Sequence, residues 1–344
     1  MQRAPGSFYD VFALSKAEAS VSTPKFRVSI LLLTYRMERT IVQALEGAIA
    51  QTIPCEIIVS DDASDDRGFD LAAGRAAVYS GQHRLVLRRN ASNEGLCRHI
   101  DTVSRIATGD ILVLMSGDDV SYPDRVKKLL DVFDAHPDAY AVGSAVDEID
   151  GEGNVMRRGA WFLDSPMDQR KFLRGGRLVA LLGASLALRR QILDELPPLR
   201  GMVEDHMLTL RATLLGRAYC LREPLVGYRR HEGNLGKRIF VRQGPRRVAR
   251  RQRYERTIQM YREIADDHAH CLAAVRELPA ERRRLGELIA SMYRLEAEGR
   301  EAVLTLPKRK WLAPIARGLL HPGLRRKSLE RALKLAVPRR WLFT

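Results

Sequence analysis

At 344 residues the chain is long enough for one large core or two smaller ones plus an appendage. Its 45% apolar and 29% charged residues describe a globular protein and exclude a disordered chain. The net charge of +15 is unevenly spread: residues 235–344 hold 27 Lys and Arg against 11 Asp and Glu, which leaves positions 1–234 nearly neutral.

No apolar run approaches the ~20 residues that span a bilayer. Residues 1–6 lack the apolar core of a secretory signal. Four scattered cysteines (Cys55, Cys97, Cys220, Cys271) have no metal-ligand spacing and fit a reducing cytosol as buried small hydrophobes.

Residues 1–24 read as a polar leader with one helical turn around 12–19 and no chemistry. The pattern then changes. Residues 28–34 form an apolar strand ending in Thr34-Tyr35-Arg36. A helix follows, with Ile41, Ala44, Leu45, Ala48 and Ile49 on one face. Residues 56–60 make a second strand that runs into Asp61-Asp62-Ala-Ser-Asp65-Asp66. Residues 85–87 make a third, leading to Asn90-Ala-Ser-Asn93-Glu-Gly95. A helix over 99–107 precedes a fourth strand at 111–115. This alternation predicts an α/β fold with a doubly wound, mostly parallel sheet flanked by helices. Each strand ends in polar groups, so these converge on one rim, where open sheets bind ligands.

Two carboxylate pairs mark that rim. Asp118-Asp119 follows the fourth strand through Ser116-Gly117. Adjacent carboxylates at a strand end suit a divalent cation that holds a diphosphate, and Gly-Asp-Asp before Tyr-Pro is equally good turn chemistry. Asp61-Asp62 stands where a dinucleotide fold keeps its acidic residue, yet no G-x-G-x-x-G follows the first strand, which argues against a dinucleotide site. Such an Asp accepts hydrogen bonds from a nucleobase or ribose, or caps a helix; the two roles are compatible.

The succession Val28-Ser-Ile…Thr34-Tyr35, Glu56-Ile-Ile-Val-Ser-Asp61-Asp62-Ala-Ser64, Asn93-x-Gly95, Gly109-Asp110 and Asp118-Asp119…Pro123 resembles the family 2 glycosyltransferases over residues 26 to about 236. These are inverting enzymes of the GT-A fold that use nucleotide-sugar donors. The resemblance implies that Thr34 and Tyr35 wall the nucleobase. It gives Asp61 and Asp62 contacts with uracil or thymine and ribose, and has Asn93 and Gly95 shape the nucleotide pocket. Asp118 would be the principal ligand of a divalent metal, Mn2+ or Mg2+. Three positions depart from the family pattern: Leu33 and Arg36 stand where Pro and Asn are usual, and Ser116 replaces the first carboxylate of Asp-x-Asp. Arg36 or Arg98 is then placed to neutralise diphosphate charge.

Beyond Pro123 a helix is expected over 124–135, an extended run over 140–146 and a sharp turn over 148–154. An irregular loop over 155–176, with Trp161, Phe162, Lys171 and Phe172, is expected to face the acceptor. By resemblance, residues 178–187 enter the acceptor side as a strand. Glu204-Asp205 would supply the general base, Asp205 taking the acceptor hydroxyl's proton while Glu204 orients it. The alternative is an acidic first turn for a helix over 207–215. In similar enzymes a strand ending in Tyr-Arg-x-His-x-x-Asn brings its His to the metal or diphosphate; here that is His231, which a structural histidine would equally explain.

The tail should be helical, over 246–271 and 281–300, with Pro279 between. Residues 307–344 interleave Trp311 and Trp341 with Leu and cations, the composition of helices on an anionic membrane surface. Packing on the body ranks second, and nucleic acid is not expected.

The expected domains are a leader (1–24), a nucleotide-sugar half (25–145), an acceptor half (146–236) and a basic helical extension (237–344). The function expected is inverting transfer from a UDP- or dTDP-sugar to a glycan or lipid-linked acceptor. Its setting would be cell-surface polysaccharide synthesis, in the cytoplasm at the inner membrane face. The alternative, which Ser116 keeps open, is an inactive GT-A-like module that binds membrane or nucleic acid.

Overall fold

The computed structural model describes residues 12–13, 27–174, 178–231 and 246–337. The rest of the leader, Asn234 and the tail segment 338–344 with Trp341 lie outside the described residues. The chain divides into two compact units. One comprises 1–166, 181–194 and 216–230; the other comprises 167–180, 195–215 and 231–344.

The first unit is a sheet with helices. Its strands are β1 (Phe12–Ala13), β2 (Val28–Thr34), β3 (Glu56–Asp61), β4 (Arg84–Arg89), β5 (Ile111–Ser116), β6 (Val120–Ser121), β7 (Ala139–Ile149), β8 (Val155–Ala160), β9 (Ala187–Arg189) and β10 (Arg217–Arg229). They lie in the order β1-β4-β3-β2-β5-β9-β7-β10-β6, with β8 beside β7. The block β4-β3-β2-β5 is parallel, as is β7 with β10. β1, β6, β8 and β9 pair antiparallel.

Every residue of β2 and β3 is buried, the polar ends as well as the apolar runs 30–33 and 57–59, as expected when both faces of a parallel sheet are covered. The pleat sends alternate side chains to opposite faces. Val28, Ile30, Leu32, Ile57, Val59, Val113 and Met115 pack with α1 (Ile41–Ile49), α2 (Gly68–Ala77) and α4 (Arg125–Ala135). On the other face, Ser60 of β3 meets His99 of α3 (Leu96–Ser104), Oγ to Nε2 at 2.6 Å. Helices therefore cover both faces of the expected mostly parallel sheet.

Two local expectations change. Residues 155–174 are only partly an irregular loop: β8 pairs with β7 and Gln169–Leu173 forms the short helix α5, with 161–168 irregular between them; residues 175–176 lie outside the described residues. The first five residues of β8 are exposed, so no apolar alternation announces a strand that backbone pairing alone specifies. Residues 178–187 do not form the expected strand. Gly183–Ser185 is a 3-10 turn, and the strand is confined to Ala187–Arg189, wedged between β5 and β7. A four-residue helix, α6 (Gln191–Asp194), follows.

The second unit is helical: α5, α7 (Glu204–Leu215), α8 (Arg246–Ala274), α9 (Ala280–Thr305), α10 (Leu312–Leu320) and α11 (Arg325–Leu333). α8 and α9 pack as a hairpin, with Tyr261 and Tyr293 stacked at 5.8 Å. Leu196, Leu214, Cys271 and Leu272 form one apolar cluster. Buried Glu296 gathers Arg300 at 2.8 Å, Lys327 at 3.5 Å and Arg331. Trp311, assigned above to an interfacial segment, is buried among Ala302, Val303 and Ile315 and donates its Nε1–H to the Leu306 carbonyl at 3.0 Å.

Candidate active site

β3 and β4 lie on one side of β2 and β5 on the other, so the strand order reverses beside β2. In open α/β sheets the crevice beyond the carboxyl ends of the strands at such a point holds the ligand. The register aligns those ends: Leu33 pairs with Ser116, Thr34 with Asp61, and Asp61 with Arg89. The expected residues Thr34, Tyr35, Arg36, Asp61, Asp62, Asn93, Gly95, Arg98 and Asp118 follow β2, β3, β4 and β5 along or just beyond this edge.

The Asp61-Asp62 pair is buried and used by the chain itself. Asp61 accepts from the Ser64 amide at 2.8 Å and from its hydroxyl, and pairs with Arg89 at 3.1 Å. Asp62 accepts from the amides of Glu94 at 2.8 Å and Gly95 at 2.9 Å and from Asn90 Nδ2 at 2.7 Å. Asn93 Nδ2 donates to the Asp62 carbonyl at 3.2 Å. The two carboxylates thus tie the loop after β3 to the loop that opens α3. Gly95 sits at φ +78°, a backbone region where a side chain would be strained. Of the expected residues here, Arg36, Asn93 and Arg98 are exposed and Tyr35 is half-buried. Arg36 lies 5.1 Å from the Tyr35 ring centroid and forks onto Asp65 at 2.7 and 2.8 Å.

Gly117 sets how closely the Asp118 loop approaches β2. A Cβ there would stand 3.0 Å from Thr34 Cβ and Oγ1 and from Met37 Sδ. The Gly117 amide donates to the Leu33 carbonyl at 2.8 Å, and its carbonyl accepts from the Thr40 hydroxyl at 2.8 Å.

Behind Gly117 the two carboxylates part company. Asp119 is enclosed: its Oδ1 accepts from the Arg229 amide at 2.8 Å, while Oδ2 has no partner among the described residues. Burial, aided by the Asp118 charge, lifts its pKa well above the usual carboxylate range against the opposing pull of Arg125 and Arg229. Asp118 is nearly buried and Ser116 half-buried at the strand end.

One buried guanidinium holds this loop. Arg229 donates to the carbonyls of Asp118 and Asp150 at 2.8 Å, to that of Gly151 and to Gln43 Oε1. It therefore joins the end of β5, the β7–β8 turn and α1. Arg229 goes unmarked in the sequence. Its signal would have been a cation between two aromatic-basic neighbours at the end of a buried strand, a pattern without a partner code.

Among the described residues no three His, Cys, Asp or Glu side chains gather as a metal-binding group. Asp118, with Ser116 beside it, fits a cation that brings most of its oxygen ligands with a diphosphate, in the way Mg2+ is commonly held by one or two carboxylates plus substrate phosphates.

The acidic pair Glu204-Asp205 belongs to the second unit and opens α7, where negative charge suits the helix dipole. Asp205 Oδ1 accepts from the His206 amide at 2.6 Å, and the Asp205 carbonyl accepts from Thr209 Oγ1 at 2.7 Å. Desolvation, joined at Glu204 by the Asp205 charge, raises both carboxyls above their usual range. That condition suits a general base or acid at neutral pH.

Next to them, buried His206 bonds Tyr293 through Nε2 at 2.8 Å and packs edge-on to Phe172 at 5.7 Å. It goes unmarked in the sequence because nothing local announces a partner 87 residues away. His231 is half-buried, belongs to the second unit and is the last described residue before 246.

Residues 29–197 match the family model described as Glycosyl transferase family 2. EpsE of Bacillus subtilis (strain 168), a protein named as a candidate glycosyltransferase, is 32% identical over 140 residues, 40% of this chain and 49% of its own length. The chain spans about half the length of the first curated relatives it matches, 49% and 59%. Among solved structures, S. aureus TarS 1–349 in complex with UDP-GlcNAc aligns with TM-score 0.58 at 16% identity over 90% of each chain. The mannosyltransferase PcManGT from Pyrobaculum calidifontis, in complex with GDP-Man and Mn2+, aligns with TM-score 0.51 at 19% identity over 95% of this chain and 87% of its own. At these identities the structures establish the shared GT-A fold.

Proposed function

We propose that the chain is an inverting glycosyltransferase that moves a sugar from a UDP- or dTDP-sugar to a hydroxyl of a glycan or lipid-linked acceptor, a reading supported by the match of residues 29–197 to the family 2 glycosyltransferase model. The observation that carries the donor half is the aligned strand edge at the topological switch, with its Gly-bounded Asp118 loop.

The nucleoside end of the donor lies along the 34–36, 61–66 and 93–98 segments. Tyr35 offers a ring to stack on, and the turns tied by Asp61 and Asp62 present backbone groups to the base and ribose. Asp118 would hold a divalent cation on the diphosphate, and Arg36, Arg98 and His231 are the further groups assigned to that charge. A cation there stabilises the departing diphosphate. Asp205, with Glu204 beside it, takes the proton of the acceptor hydroxyl as that oxygen attacks the anomeric carbon from the face opposite the leaving group, which inverts the configuration. The setting that fits is polysaccharide synthesis at the cytoplasmic face of a membrane.

Calorimetric titration of UDP, dTDP and GDP with and without Mn2+ tests the donor half. Metal-dependent binding of UDP or dTDP is the expected result. Binding that is indifferent to metal moves the charge balance onto Arg36, Arg98 or His231. No nucleotide binding at all supports the inactive-module reading, which the serine at position 116 favours.

A further inference from the structure

The last two described helices carry an unusual surface. On α10, Leu312, Ala313, Ala316, Arg317 and Leu320 are exposed, Arg317 pairing with Glu298 at 3.0 Å, while Pro314, Ile315 and Gly318 face inward. At 100° per residue the four apolar exposed positions fall within a quarter to a third of the helix circumference, with Arg317 at their edge. α11 repeats the arrangement: Arg325, Arg326, Leu329, Glu330 and Leu333 point out, Arg326 pairing with Glu330 at 3.3 Å, and Ser328 and Arg331 point in. The four leucines are 58%, 83%, 56% and 73% exposed in chain order, among the most open large apolar side chains of the described residues.

Segment 307–337 holds nine Lys and Arg against one Glu. Some of these cations are used inside the unit. Lys327 and Arg331 face Glu296, and Lys308 donates to the carbonyls of Leu335 and Val337. Arg309, Lys310, Arg325 and Arg326 are exposed in the same segment as the leucines. A helix face of open leucines edged by cations matches the acyl–headgroup boundary of an anionic bilayer, where apolar burial and headgroup attraction add.

We propose that the outer faces of α10 and α11 dock the second unit onto an anionic lipid surface, with Leu312, Leu320, Leu329 and Leu333 entering the boundary and Arg309, Lys310, Arg325 and Arg326 meeting headgroups. Trp311 takes no part, since it anchors the segment from within. This deepens the membrane-side reading above. It brings a lipid-linked acceptor within reach in two dimensions and needs no spanning helix, and no described helix is long and apolar enough to be one.

The test is flotation of the full chain with vesicles of phosphatidylcholine containing phosphatidylglycerol, against phosphatidylcholine alone. Wild type should float with the anionic vesicles, and added salt should release it. Leu320→Ser with Leu333→Ser should lower the partition coefficient on the order of tenfold or more. Arg325→Gln with Arg326→Gln should remove most of the preference for phosphatidylglycerol while leaving the leucines in place. Near-ultraviolet circular dichroism, which reports buried Trp311, confirms that each variant is folded.

Unchanged flotation of the leucine variant overturns the proposal. So does failure of wild type to float, together with self-association in light scattering that the leucine variant abolishes; the face would then join copies of the chain. Nucleotide titration of the same variants reads the donor site separately, so its failure and the failure of docking are told apart.

Discussion

Arg229→Met offers the sharpest test of how the Asp118 loop is held. Arg229 is 2% exposed, and its guanidinium bonds to three carbonyls and Gln43. A hydrogen bond to a charged group contributes about 1.5–3 kcal/mol, and such bonds on one group do not add fully. Methionine keeps much of the volume but leaves those carbonyls without their donor and removes one of the two cations, Arg125 and Arg229, that face buried Asp119. A loss of about 3–5 kcal/mol follows, the range seen when one member of a buried charge network is deleted.

With an m-value near ~2 kcal/mol/M, the urea midpoint of the first unit should fall by about 2 M. Adding Asp119→Asn should return about 1–2 kcal/mol, because the uncompensated buried carboxyl is then gone. A single-variant loss below about 1 kcal/mol, or strict additivity in the double variant, would refute the clamp.

Asp205→Asn should cut transfer by about 10²- to 10⁴-fold with nucleotide affinity unchanged in calorimetry; activity within tenfold of wild type would sink its role as base. Because its carboxyl is raised, the rate should fall with falling pH from above the ordinary carboxylate range. Gly117→Ala places a methyl 3.0 Å from Thr34 and Met37, so thermal unfolding should show a loss of about 1–3 kcal/mol and calorimetry a weaker nucleotide. His206 and His268 are buried and held neutral, lowered to about 3 and about 4. Their unfolded forms take up protons below about 6.5, so stability should drop by about 2 kcal/mol for each between pH 7 and pH 5. His268→Asn should remove about half of that pH dependence in urea unfolding.

The parallel block was legible because strands buried on both faces carry unbroken apolar runs, as residues 30–33, 57–59 and 111–115 do. The helix over 246–274 and its partner over 280–305 were legible for the complementary reason: long strand-free stretches with Pro279 between them. β8 escaped because its partner strand fixes it through backbone bonds, whatever its side chains. At the site, the turn in which Asp61 holds Ser64 is local and was read as capping. The bonds of Asp62 to Glu94 and Gly95 reach across more than thirty residues and leave no local trace. The same distance hid Arg229, whose three carbonyl partners lie on other segments.

Glu204 and Asp205 separate the enzyme reading from the inactive module by their energetics. Glu296 shows what a buried structural carboxylate looks like in this chain. Burial would raise it, but Arg331, Lys327 and Arg300 surround it and hold it below its usual value. Glu204 and Asp205 are raised, and among the described residues no ion pair reaches either one. A carboxyl whose folded pKa lies above its unfolded value destabilises the fold as it ionises. Below the ordinary carboxylate range both states are protonated and nothing is lost. The loss grows as pH rises from the unfolded value to the folded one, at about 1.4 kcal/mol for each pH unit between them.

Glu204→Gln with Asp205→Asn should therefore stabilise the chain at neutral pH, by an amount that shrinks as pH falls toward the carboxylate range. In an inactive module that gain carries no penalty. In an enzyme it comes with loss of transfer, the usual exchange at a strained catalytic site. Unfolding curves of the double variant against pH, paired with a transfer assay, decide between them. Stabilisation with intact function would remove the catalytic role, and a pH-independent stability difference would show that the two carboxyls are not desolvated at all.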